Sequence, residues 1–179
     1  MTHMAGRRKE IESIMQGPET QSEWGDIEVR LAKADDAPAI EAVLSKSFEE
    51  YKSSYTSAAF KAATPPQEII LKRMEEGPTW VAEQRGEVVG TISAIPHGRT
   101  LMLRAMAVPP AERGRAIGKL LLVKVARHAF RNGYRRMTIS ASPFLTRALR
   151  EYEQFGFQRS KEGPSEFHGT PVYNMTKTF

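Results

Sequence analysis

The 179-residue chain carries 26 basic and 21 acidic side chains, a net charge of +5, and 40% hydrophobic residues, enough for one domain with a sizeable core. With no cysteine and four scattered histidines, it excludes disulfides, thiolate nucleophiles and cysteine-held metals, and offers no histidine pair at i, i+4 spacing; no metal site is expected. No apolar run approaches the roughly eighteen residues of a membrane span, and the basic excess lacks the interleaved aromatics of a nucleic-acid surface, so neither partner is expected.

Residues 1–25 are polar, broken by Gly17-Pro18 and Ser22, with Ile11, Ile14 and Met15 able to form one helical turn. They read as a flexible N-terminal extension, or one that packs on a partner subunit, which leaves a homodimer open. Without an apolar signal core at the N-terminus, a cytoplasmic protein is the default expectation.

Ile27-Glu28-Val29-Arg30-Leu31 alternates and predicts a first strand. Asp35-Asp36, with Pro38 behind them, start a helix whose face is Ile40, Val43, Leu44 and Ser47. Residues 48–63 are rich in Tyr, Ser and Ala and read as a loop. Thr64-Pro65-Pro66-Gln67 predicts a capping box with proline at the first helical position. That helix carries Ile69, Ile70 and Met74 and stops at Gly77-Pro78. Trp80-Val81-Ala82 and the run 88–92 flank Arg85-Gly86 as a hairpin, and a fourth strand, 101–108, follows the turn at Pro96-His97-Gly98.

Next comes Ala111-Glu112-Arg113-Gly114-Arg115-Ala116-Ile117-Gly118-Lys119, a basic loop punctuated by glycine. A helix follows, with Leu122, Val125, Ala126 and Ala129 on one face and Lys124, Arg127, His128 and Arg131 on the other. Strand, glycine loop, helix N-terminus is the order that builds an anion site. The first helical N–H groups lack internal partners, the helix dipole adds positive charge, and Gly114 and Gly118 permit close approach. Spacing rules against two common versions. A Walker loop needs Ser or Thr after Gly118-Lys119, where Leu120 stands; a dinucleotide fingerprint needs an acid some twenty residues on, where Thr138 and Ile139 stand. Asn132-Gly133 caps the helix, and 136–140 is a strand expected to lie parallel to the one before it. Pro143 opens a last helix with Leu145, Ala148, Leu149 and Tyr152 on its buried face and Gly156 at its end. Phe157 and 172–175 predict a closing hairpin, with Glu166 and His168 in the loop between.

Residues 103–110 (Leu-Arg-Ala-Met-Ala-Val-Pro-Pro) followed by 113–121 resemble the acetyl-CoA signature of the GNAT N-acetyltransferases, Arg/Gln-x-x-Gly/Ala-x-Gly/Ala, beginning at Arg113. Ala116 takes the place of the usual central glycine, which is tolerable if the backbone there stays helical. Tyr152-Glu153-Gln154-Phe155-Gly156-Phe157 resembles the family's Tyr-x-x-x-Gly-Phe element. The resemblance covers residues 27–179, so 26–179 is read as an N-acetyltransferase domain. It implies an α/β (α+β) fold with a mixed, mostly antiparallel central sheet, a parallel pair splayed by a β-bulge, and about four helices.

The resemblance also implies chemistry. Acetyl-CoA would be held by Met106, Ala107, Val108, Arg113, Gly114, Arg115, Ala116, Ile117, Gly118 and Lys119, with a backbone N–H in 106–108 aimed at the carbonyl oxygen. Tyr152 would give the departing sulfur a proton or a hydrogen bond. Glu49, Tyr51, Tyr55, His97 and Arg104 are candidate contacts to an amine acceptor. The general base is open: Arg104 stands where many relatives carry glutamate, and an arginine cannot serve. A neutral amine could attack directly, or its proton could pass through water to Glu49, Glu50, His97 or His168. Arg104 itself could attract an anionic acceptor or pair with an acid on a neighbouring strand. The expected activity is direct acetyl transfer to a primary amine of a small molecule or peptide in a ternary complex. The rival is a non-catalytic acyl-CoA-binding module on the same fold.

Overall fold

The computed structural model describes residues 25–179 together with Gly6, Lys9, Ser13 and Ile14. Most of the expected N-terminal extension therefore lies outside the described residues. Ile14 packs against the main core, and its carbonyl accepts a 2.8 Å hydrogen bond from Arg127 Nε.

Eight strands form the sheet: β1 (Ile27–Leu31), β2 (Thr79–Gln84), β3 (Glu87–His97), β4 (Thr100–Ala107), β5 (Arg136–Ala141), β6 (Gln158–Arg159), β7 (Ser165–Phe167) and β8 (Thr170–Thr178). Their order is β1-β2-β3-β4-β5-β8-β6, with β7 pairing β8 beside this path. Every pairing is antiparallel except β4 with β5. The Arg85-Gly86 turn has positive φ at both residues, the twist that a two-residue hairpin favours.

From residue 25 onward the described α-helices are α1 (Ala37–Phe48), α2 (Ser57–Ala63), α3 (Gln67–Glu76), α4 (Ile117–Arg131) and α5 (Thr146–Phe155). Two apolar clusters divide them by face. Leu121, Leu122, Val125, Ala126 and Ala129 of α4 join Leu149 and Tyr152 of α5, together with Trp80, Leu101, Leu103, Met137 and Met175. Ile40, Val43 and Leu44 of α1 and Ile70 of α3 cover Val81 and Ala107 on the other side. Burying a Leu of this kind contributes about 1.5–3 kcal/mol. Gly90 of β3 lets α4 seat closely, because a Cβ there would lie 2.9 Å from Ile117 Cγ2. Among the described residues, no helix is long and apolar enough to cross a membrane.

Three local expectations change. Residues 57–63, read as loop, form α2, whose N-cap Thr56 accepts a 3.1 Å hydrogen bond from the Ala59 amide through its hydroxyl. Thr64 does not cap α3. It closes α2, its hydroxyl donating to the Phe60 carbonyl at 2.7 Å, and Pro66 is the N-cap of α3 with no side-chain bond. One hydroxyl lay within reach of two helix ends, and the carbonyl side won. Pro143 sits in a turn and α5 begins at Thr146, three residues later. The acidic start of α1 holds: Asp36 accepts from the Lys33 amide and from Arg30, and the guanidinium keeps its carboxyl below the usual range.

Candidate active site

The site begins with a fault in β4. Thr91 pairs with Ala107 and Ser93 with Arg104, so Ala105 and Met106 together oppose Ile92. That is a β-bulge, and Ala105 takes φ +52° to make it. A side chain in this left-handed region costs about 1–2 kcal/mol, a strain that concentrates at functional sites. The parallel pairing with β5 runs only from Thr100 to Met102. Beyond it the strands part, leaving the β5-facing edge of residues 103–107 without a strand partner. A cleft of about 520 Å³ opens along the split.

At one end of the cleft lies the start of α4. Its N-cap is Ala116, whose side chain makes no capping hydrogen bond, and the first-turn amides have no acceptor within the helix itself. Gly114 (φ +82°) and Ala116 (φ +58°) bend the loop back on itself. Ala116 is therefore not helical, contrary to the condition under which its methyl group is harmless. The residue holds a conformation that glycine adopts freely. A smaller depression at this point is lined by Val108, Arg113, Gly118, Arg147, Arg150 and Glu151, among others. The Glu151 carboxylate lies where a Cβ on Gly118 would collide with it. Burial raises the pKa of that carboxyl, and the nearby Arg147 charge partly opposes the shift.

Tyr152 closes the middle of the cleft from α5. It is 4% exposed, and burial pushes its phenol far above the ordinary value, with Glu151 and Tyr55 adding to the shift. Burial thus favours the protonated phenol, which can donate a hydrogen bond. A buried tyrosine with a purely structural role satisfies a backbone group; among the described residues no hydrogen bond to this hydroxyl is found, and the ring lines the open cleft.

The opposite end is aromatic and basic. Tyr55 and Phe144 meet edge to face at 4.8 Å between centroids, Tyr51 and Phe144 lie 5.9 Å apart, and Phe48 contacts Tyr55 at 6.2 Å. Burial lifts the Tyr55 phenol to about 12. The turn after β7 reaches over this end: Thr56 donates through its hydroxyl to the His168 carbonyl at 2.6 Å, and the Thr56 amide donates to Thr170 Oγ1 at 3.0 Å. Arg104 pairs with Glu76 at 2.6 Å, an acid at the end of α3 and not, as expected, on a neighbouring strand.

Of the residues named from sequence, Tyr51, Tyr55, Arg104, Met106, Ala107, Val108, Arg113 and Tyr152 all line the cleft. Gly114, Ala116, Ile117 and Gly118 line the depression beside it. Arg115 is exposed and paired to Glu112 at 2.6 Å; Lys119 is exposed on α4, and neither lines the two concavities. Glu49 is exposed outside the cleft, and His97 sits at the far end of the β3–β4 hairpin, opposite Thr100. The Arg113 side chain is committed inward: its guanidinium donates to Val108 O and Ser47 O, both at 3.2 Å, and pairs with Glu50. It locks the loop to the end of α1 instead of presenting its charge to a ligand. Sequence reasoning passed over Arg73, Arg147, Arg150 and Glu151. The last three were within reach, since 147, 150, 151 and 154 share the polar face of α5 opposite Leu149 and Tyr152. Arg73 carried no signal, being one charge on a predicted surface helix.

A parallel strand pair forced open beside an uncapped helix start marks a protein that takes an extended, anionic ligand edge-on into its sheet. Residues 39–157 match the Acetyltransferase (GNAT) family, and the chain belongs to it. Human N-acetyltransferase 8B is 34% identical over 95 residues, covering 50% of this chain and 41% of that protein. The chain thus spans less than half of such relatives. The N-acetyltransferase YjgM of Escherichia coli is 28% identical over 135 residues, 73% of this chain and 81% of that one. In fold, the PaiA N-acetyltransferase of Thermoplasma acidophilum, solved in complex with coenzyme A, superimposes with a TM-score of 0.74 at 17% identity over 86% of this chain and 99% of that one.

Proposed function

We propose that the protein is an acetyl-CoA-dependent N-acetyltransferase that moves an acetyl group directly to a primary amine of a small molecule or peptide in a ternary complex. The carrying observation is that the cleft holding the unpaired edge of β4 and Tyr152 adjoins the depression at the start of α4, the two sharing Val108, Arg113, Arg147 and Glu151 as walls. The residues fit the cofactor. The first-turn amides and the open ground at Gly114 suit a diphosphate, and the split between β4 and β5 suits an extended arm. The likeness to a structure solved with coenzyme A supports the same reading.

Bound acetyl-CoA would supply an acetyl group activated as a thioester. The chain's own residues do the rest. The backbone N–H groups of 106–108, held by the bulge, stabilise negative charge on the carbonyl oxygen. Tyr152, kept protonated by burial, gives a proton or a hydrogen bond to the departing sulfur. Of the four proton acceptors considered from sequence, Glu49 and His97 lie away from the cleft and Glu50 is held by Arg113. His168 lines it. We assign His168, at the rim, to carry the amine proton to solvent.

The second reading, a binding module without turnover, draws on Arg104 in the place of an acid and on the Glu151 carboxylate over Gly118. Incubation with acetyl-CoA and an amine panel separates the two. Release of free thiol only when an amine is present supports transfer; calorimetric binding of acetyl-CoA without thiol release supports the module.

A further inference from the structure

The α1–α3 end of the cleft holds more positive charge than acetyl transfer requires. Arg104 leaves β4 one residue before the bulge and Arg73 comes from α3; both line the cleft. Arg73 is largely withdrawn from solvent, and burial together with the Arg104 charge presses its pKa down. Two like charges are thus held side by side in a poorly solvated place.

The acid that meets the pair is Glu76, whose side chain is 49% exposed. It bonds Arg104 and acts on Arg73 only through its charge. Arg73 otherwise donates to the Ala62 carbonyl at 2.9 Å. Arg104 Nε is buried with no hydrogen-bond partner, which among the described residues is true of no other buried side-chain nitrogen or oxygen. An orphaned donor on a charged group is costly and in a native cleft calls for an explanation. No other group in the cleft supplies a counter-charge: Glu50 is taken by Arg113, Glu151 faces Arg147 at the far end, burial keeps the Tyr55 phenol protonated, and His168 lies at the rim. Two guanidiniums against one half-exposed carboxylate leave a net charge of +1.

We propose that Arg104 and Arg73 recognise a carboxylate on the acceptor, so that the substrate class is an amine bearing its own carboxylate, as in a free amino acid. This rests on the N-acetyltransferase reading and narrows its acceptor. A single negative charge matches the excess, whereas a doubly charged phosphate would exceed it. Guanidinium forks suit a planar carboxylate. The same field repels an ammonium ion, which favours the neutral amine that acts as nucleophile. The aromatic wall of Phe48, Tyr51 and Tyr55 receives the apolar body of the acceptor.

The test uses matched acceptors: amino acids, each with its amide, its decarboxylated amine and its phosphonate analogue. Thiol release with acetyl-CoA gives kcat/KM, and calorimetry gives binding to the CoA-loaded protein. The carboxylate member of the preferred set should exceed its amide and its decarboxylated amine by on the order of 10- to 100-fold, as for hydrogen bonds between charged groups. Arg104→Met and Arg73→Met, each checked for folding by circular dichroism, should reduce that ratio to within about threefold. Arg104→Lys, which keeps charge but loses the fork, should fall between. Equal or better use of the uncharged members, tighter binding of the phosphonate, or a ratio that survives both Met variants overturns the proposal. Carboxylate-selective binding without thiol release would sink acetyl transfer and leave this assignment standing. Transfer to amines with no carboxylate preference would do the reverse.

Discussion

At the α4 end of the cleft the groups that face a ligand belong to the backbone: the uncapped amides that open α4 and a loop bent by Gly114 and Ala116. At the α1–α3 end they are side chains, with Tyr51 and Tyr55 from the connector after α1, Arg73 from α3 and Arg104 from β4. A backbone site depends on local conformation and tolerates many side chains, provided none is large at the point of contact. A side-chain site depends on elements far apart in sequence arriving together. On the proposed function, the first end takes the part every reaction shares and the second the part that differs between enzymes.

Substitutions can break this contrast, and the largest effect is expected at Gly118. Gly118→Glu places bulk and negative charge against the amides and should weaken CoA binding beyond calorimetric detection while the acceptor end stays folded; retained binding would move the cofactor elsewhere. Tyr152→Phe removes one proton donor from the junction of the two ends. It should lower kcat on the order of 100-fold, the scale of general acid catalysis, with acetyl-CoA affinity within about twofold. Equal losses in both would make Tyr152 structural.

Glu151 sharpens the contrast, as an acidic side chain lying over a backbone anion site. Its pKa is raised by burial, and added phosphate charge would raise it further. CoA binding should therefore take up protons and tighten as pH falls through that pKa. Glu151→Gln should bind CoA about threefold more tightly at neutral pH, the scale of a weak ion-pair term, and should lose the dependence. Titrations in two buffers of different ionisation enthalpy would read the proton uptake directly. The smallest effect is at Ala116. Ala116→Gly should relieve left-handed strain and stabilise the fold by about 0.5–1 kcal/mol after allowing for the freedom glycine gains when unfolded. A thermal melt should rise by about 2 °C; a fall would mean the Ala116 methyl makes a contact worth more than the strain.

Much of the architecture was legible because it depends on local pattern. Alternation in 27–31, the Arg85-Gly86 turn and the four-residue rhythm of 117–131 each specify an element regardless of its surroundings. Boundaries misled where one residue could serve two neighbours. Thr64 could cap the helix after it or close the one before, and nothing nearby in sequence says which carbonyl will be orphaned. Ala116 was the reverse case: alanine favours helix, yet the geometry of the turn overrode that preference.

Sequence alone determined that this chain would make a strand, a glycine-marked loop and a helix with an exposed positive start, since backbone conformation and dipole are properties of a few consecutive residues. Only the folded sheet decided that the β4–β5 pairing would end at Met102, that Arg113 would turn inward to Val108 and Ser47, and that Arg73 would come to rest beside Arg104. The Arg73–Arg104 and Ser47–Arg113 contacts join residues 31 and 66 positions apart, and the end of the β4–β5 pairing depends on where two packed strands part, information that no local pattern carries.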